Sequence, residues 1–182
     1  MKNYYMSILL LLLGCVFGCE KENGKVYEGP ENQPVLFEYH YVNHAWGYSE
    51  HGWLIDSSGD LHYYNLPEDF RLPDANSYIS QEDLMHNLAQ ADSIMHTLGA
   101  RDLDYYSGLI AGAAEGKIGE AGNVAADAGS SVLSCYMYDA NKDMYRYVFL
   151  ASSGDWQKSN ESREAKILVK WMKDLDVFWL EP

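Results

Sequence analysis

From Val35 onward, apolar residues recur with period two. Val35, Phe37, Tyr39 and Tyr41 fall on one parity and Leu36, Glu38, His40 and Val42 on the other, the pattern of a strand with two distinct faces. Residues 53–56 and 60–64 form the next strand pair, joined by Ser57, Ser58 and Gly59. A three-residue hairpin loop with glycine last supplies the positive φ that closes such a turn. It sets Ile55 opposite Leu61 and Trp53 opposite Tyr63, and it also sets Asp56 against Asp60, two like charges at the mouth of the turn. Past a proline-bearing loop over 66–73, Ser80 and Asp83 make a capping-box-like start. Leu84, Leu88, Ala91, Met95 and Leu98 then recur at spacings of four and three until Gly99, which predicts a helix over 80–98. A second helix is expected over about 102–115, burying Tyr106, Leu109, Ile110 and Ala113. Gly108, Gly112 and Gly116 share one stripe of it, as close backbone packing requires.

Residues 116–129 read as a small-residue loop. Residues 131–138 and 144–151 read as a hairpin around a five-residue loop, which aligns Leu133, Cys135 and Met137 with Tyr145, Tyr147 and Phe149. A last helix starts near Ser159 or Asn160 and sets Ala165, Leu168, Val169, Met172 and Leu175 against Lys166, Lys170 and Lys173. Its tail, 177–180, is apolar enough that we expect it to pack back on the domain. Strands grouped and helices grouped predict an α+β domain, with an antiparallel sheet of about five strands and about three helices packed on one face.

The N-terminus carries a different signal. Lys2 precedes an apolar run from Met6 to Phe17, then Gly18 and Cys19. A dozen apolar residues are too short for a permanent membrane span but long enough to engage an export machinery. This resembles a bacterial lipoprotein signal peptide, in which cleavage before a cysteine leaves that cysteine for lipidation. Both Cys15 and Cys19 follow a glycine; Cys19 is preferred, because a cut at Cys15 would leave Val16 and Phe17 in the tether. The acidic Cys19-Glu20-Lys21-Glu22 start resembles lipoproteins of Bacteroidetes, in which such residues accompany surface export. The resemblance covers about the first two dozen residues. The chain thus divides into a signal peptide (1–18), a polar tether rich in Glu, Asn, Gly and Pro (19–34) and one α+β domain (35–182).

The 182 residues carry a net charge of −14, so no basic face is available to neutralise phosphates and nucleic acid is excluded as a general partner. With Cys19 acylated, Cys135 alone remains in the domain, and its place in a strand-like run marks it as a small buried hydrophobe. Residues 112–118 glance at a phosphate-binding loop but have the wrong glycine spacing and Ile118 where a hydroxyl is needed. Asp139, Asn141 and Asp143 copy the first ligands of a calcium loop, yet Met144 replaces the turn glycine and Leu150 the closing glutamate. No cofactor and no metal follow from the motifs, and the catalytic residues, if any, stay unassigned. Ser-Ser-Gly-Asp occurs at 57–60 and 152–155 and reads as repeated turn chemistry.

Candidate chemistry concentrates between Phe37 and Tyr64, which hold eight of the 25 aromatics and four of the six histidines. Glu38, His40 and His44 share parity and, with His62 across the sheet, offer zinc-type ligands, but their spacing matches no ligand pattern. His44, Trp46, Tyr48 and His51 lie where bulky rings alternate with small residues. That composition suits a binding loop that stacks on sugar rings or anchors a protein partner; the same rings also suit a continuation of the buried face. The expectation is therefore a lipid-anchored envelope or outer-membrane lipoprotein with a non-catalytic domain that binds a glycan or an envelope protein. The alternative is a small envelope hydrolase using His44 or His51 with Glu50 or Asp127.

Overall fold

The computed structural model describes residues 33–45 and 47–175. Its elements, in order, are β1 (Phe37–Asn43), β2 (Ser49–Ile55), β3 (Asp60–Asn65), β4 (Tyr78–Ile79), α1 (Gln81–Ala89), β5 (Ser93–Thr97), α2 (Ala100–Ser107), α3 (Ile110–Ala114), β6 (Gly122–Asn123), β7 (Ser130–Asp139), β8 (Met144–Gly154), β9 (Trp156–Ser159) and α4 (Arg163–Asp174). The α+β class holds, with antiparallel pairing throughout, but the sheet has nine strands where about five were expected. Its order is β5-β3-β2-β1-β7-β8-β9-β6, with β4 also on β8. The five strands read from the sequence are β1, β2, β3, β7 and β8; the four additional ones are short or lie at the margins.

The β2–β3 hairpin has the expected register, Ile55 against Leu61 and Trp53 against Tyr63, with Gly59 at φ +87°. The apposed Asp56 and Asp60 are accommodated by donors. Asp56 Oδ1 accepts from the Ser58 amide and hydroxyl and the Asp60 amide, and Oδ2 faces His62 Nε2 at 2.9 Å. Burial works against the Asp56 charge, but these hydrogen bonds hold its carboxyl below the usual range.

The helix predicted over 80–98 stops at Ala89, and residues 93–97 instead form β5 on the edge of β3. The Asp92 amide donates to Tyr63 O and its carboxylate accepts from the Asn65 amide, so the sheet edge captures the chain and leaves Ile94 and Met95 exposed. The β7–β8 loop has four residues, not five, because Asp139 pairs with Met144. One residue of slip exchanges the faces: Cys135 meets Val148, and Tyr136 meets Tyr147. The helices also lie on both faces. Trp53, Ile55, Leu133, Cys135 and Leu150 pack against α3 and α4 through Ile110, Ala113, Leu168 and Met172, whereas Leu54, Tyr64, Tyr136 and Tyr145 pack against Leu84 of α1.

The helical stretch expected over 102–115 is interrupted at Gly108 and Leu109. A Cβ at Gly112 would lie 2.6 Å from Glu164 Cγ and one at Gly116 1.9 Å from Asn160 Oδ1, so these two glycines pack closely, whereas a Cβ at Gly108 would meet only the carbonyls of Asp104 and Tyr105 in its own preceding turn. The last helix begins later than expected, with Ser162 as its cap. Gln33, within the predicted tether, is buried and its amide donates to Val35 O and Tyr136 O. The apolar tail 177–180 lies outside the described residues.

Candidate functional site

The β1–β2 connection places the predicted binding residues in different settings. Asn43 Oδ1 accepts from the Ala45 amide at 2.8 Å, which turns the chain out of β1. The His44 ring then lies 5.2 Å from that of Tyr48. Tyr48 is exposed, and its hydroxyl donates to the Glu50 carboxylate. His51 is already within β2, its ring 4.7 Å from Tyr41; burial lowers its pKa. His44 and Tyr48 therefore form one unit and His51 another. Trp46 and Cys19 lie outside the described residues.

Glu50, a candidate carboxylate for His44 or His51, instead faces His40, with 3.5 Å between Oε1 and Nε2. His40 Nδ1 lies 3.0 Å from the Tyr64 hydroxyl. Burial lowers the His40 pKa, against the pull of Glu50. The Glu38, His40, His44 and His62 set is not assembled: Glu38 accepts from the Tyr136 hydroxyl at 2.5 Å and His62 faces Asp56. Among the described residues, His62 is grouped with Asp56 and Asp60, their ligand-type atoms all within 4.8 Å of one another.

A cleft of about 450 Å³ opens where three loops meet at one end of the sheet. Asn43 and His44 come from the β1–β2 loop, Asp127 and Gly129 from the segment before β7, and Asp155 and Trp156 from the β8–β9 turn. The loops are bound to each other. Asn43 Nδ2 donates to Asp127 O and to the Tyr41 hydroxyl, and Asp155 Oδ1 accepts from the Ala128 amide at 2.8 Å. A Cβ at Gly154 would lie 2.2 Å from Gly129 O, so glycine permits the close approach of the two turns. Asp127 takes φ +61° without being glycine, a conformation that costs about 1 kcal/mol or more and that surrounding structure must hold. Trp156 beside it is 57% exposed.

The cleft contains His44 and Asp127, both singled out from the sequence, and adds Asp155 and Trp156, which were not. The available signal was the second Ser-Ser-Gly-Asp, followed directly by Trp156; only the contact of three distant loops shows that this turn borders a cavity. A second cleft of about 200 Å³ lies on the sheet face beside α4. Its floor includes Leu133, Met172 and the stacked rings of Tyr39 and Trp53, 6.1 Å apart. At its rim the Ser131 and Ser153 hydroxyls lie 2.7 Å from each other. No family model, no curated protein and no solved structure matches this chain.

Proposed function

We propose that this protein is a lipid-anchored binding domain of the bacterial envelope that takes a neutral glycan, without catalysis, in the cleft between the three loops. The observation that carries the reading is the exposed Trp156 ring at the margin of a cleft that also contains His44, Asn43, Asp127 and Asp155. A flat aromatic ring offers the C–H face of a pyranose a large apolar contact with little side-chain entropy to lose. Carboxylates and an amide beside it accept and donate hydrogen bonds to sugar hydroxyls. Among the described residues lining this cleft none is lysine or arginine. With a net charge of −14, the field around it opposes uronates and sulfated sugars and leaves neutral glycans favoured. The concave shape suits a short saccharide better than the flat patch expected for a protein partner.

The test is a glycan array probed with the full chain, followed by titration of the best neutral hit. Trp156→Ala should weaken binding by about tenfold or more while the melting temperature stays within a degree or two, since the ring is exposed. Asp155→Asn should weaken it less. Retention of full affinity by Trp156→Ala, or binding only to anionic polysaccharides, overturns the assignment.

A further inference from the structure

The cluster at the β2–β3 turn lies at the opposite end of β2 from the glycan cleft and is independent of it. We propose that Asp56, Asp60 and His62 form a binding site for a divalent first-row transition ion, with Zn²⁺ the best match. The argument begins with register. The pairs Ile55–Leu61 and Leu54–His62 oblige Asp56 and Asp60 to face each other across the turn, and alternation places His62 on the same face as Asp60. Two carboxylates are thereby held together in a strongly acidic protein. Among the described residues neither forms an ion pair with lysine or arginine; His62 is the partner of Asp56.

The protein already orients each carboxylate by one oxygen. Asp56 Oδ1 accepts three hydrogen bonds from the turn. Asp60 Oδ1 accepts from the Thr97 hydroxyl of β5 at 2.6 Å. Asp56 Oδ2 is held only by His62 Nε2, the third member of the set, and Asp60 keeps its second oxygen for a metal; outer hydrogen bonds such as those on the two Oδ1 atoms are what fix ligand geometry in metal sites. Asp56 Oδ2 and His62 Nε2 are 2.9 Å apart, a hydrogen-bond separation that must open by about 0.5 Å to match adjacent ligands of a tetrahedral ion bound at about 2.1 Å. The three ligand atoms lie within 4.8 Å of one another, so a modest movement of Asp60 closes the set. One imidazole with two carboxylates favours Zn²⁺ or Mn²⁺ over Ca²⁺ and Mg²⁺, which take oxygen ligands. Binding needs the Nε2 lone pair, so the proton between Nε2 and Asp56 passes to Nδ1 or to solvent.

Isothermal titration of the detergent-solubilised full chain with ZnCl₂, in parallel with MgCl₂ and CaCl₂, tests the site. The expected result is a saturable Zn²⁺ site whose affinity falls by about tenfold or more in both Asp60→Asn and His62→Gln, remains in His44→Gln, and exceeds that for Mg²⁺ or Ca²⁺. Zn²⁺ should also raise the melting temperature of the wild type but not of Asp60→Asn. Asp60→Asn keeps an oxygen for Thr97, so its metal-free melting temperature and circular dichroism serve as the folding control. Absence of saturable Zn²⁺ binding, or unchanged binding in both ligand variants, overturns the proposal. Neither result bears on glycan binding at the other end of the sheet.

Discussion

Glu38 is 3% exposed and accepts a hydrogen bond from the Tyr136 hydroxyl. Burial pushes its pKa up to about 7, and the Tyr136 hydrogen bond only partly opposes this. Because the folded pKa lies above the ordinary value of 4.5, the folded state binds the proton more tightly. Stability from this group is present below about pH 4.5 and is lost as pH rises toward 7. The loss is about 3 kcal/mol at about 1.4 kcal/mol per pH unit. Glu38→Gln should match the wild type near pH 4.5 and exceed it in stability at pH 8, measured as the difference between two urea-denaturation series; parallel pH profiles would contradict the assignment. A strand pattern with Glu38 on a shared parity indicates that it faces the same way as His40. It does not reveal that Tyr136, from a strand almost a hundred residues later, encloses it. Gly52 gives the same lesson: a Cβ there would meet Tyr39 O at 2.0 Å and the Tyr64 hydroxyl at 2.5 Å. The need for glycine arises from the Tyr39 carbonyl of the neighbouring strand and the Tyr64 ring laid across it, neither of which local sequence shows.

At the scale of elements, Asn160 joins α3, β8 and α4. Its Nδ2 donates to Ala113 O at 2.8 Å and Phe149 O at 3.1 Å, and its Oδ1 accepts from the Ser162 amide. Ser162 in turn caps α4 by accepting from the Ala165 amide. The sequence predicts a helix start at 159 or 160, two or three residues before the Ser162 cap, because Asn160 has the chemistry of a cap; the structure uses it instead to pair otherwise unsatisfied buried backbone. Asn160→Ala should cost about 2 to 3 kcal/mol, since it leaves buried polar groups without partners. Ser162→Ala should cost about 1 kcal/mol, an ordinary cap loss. Chemical denaturation of both variants checks the ranking, and a larger cost for Ser162→Ala would reverse the roles assigned to the two residues. The contrast between α1 and β5 is similar. Leu84 and Leu88 continue to support a helix, whereas Met95 shares their spacing but is exposed on β5, because edge pairing with β3 outweighs a weak helical period.

The whole molecule combines an acidic domain with an N-terminus that resembles a lipoprotein signal. A net charge of −14 opposes attraction to anionic headgroups, so membrane retention in this reading depends on the acyl chains of Cys19. Cys19→Ser should shift the protein from the membrane to the soluble fraction and abolish fatty-acid labelling; if Cys15→Ser does so instead, the cleavage site moves to Cys15. Sequence alone determined what adjacent residues decide: the alternation of β1, β3 and β7, the end of β2 from Trp53 with the turn at Gly59 and its register, the amphipathic face of α4, and the α+β class that follows from their grouping. Tertiary structure decided what depends on residues far apart in the chain. The single-residue slip of β7 on β8 sends the tyrosines to the second core, and open sheet edges recruit β5 and β9. Three loops from positions 43–44, 127–129 and 155–156 meet around Trp156. Periodicity reports which face a residue shares with its near neighbours, and only long-range strand pairing sets what that face meets.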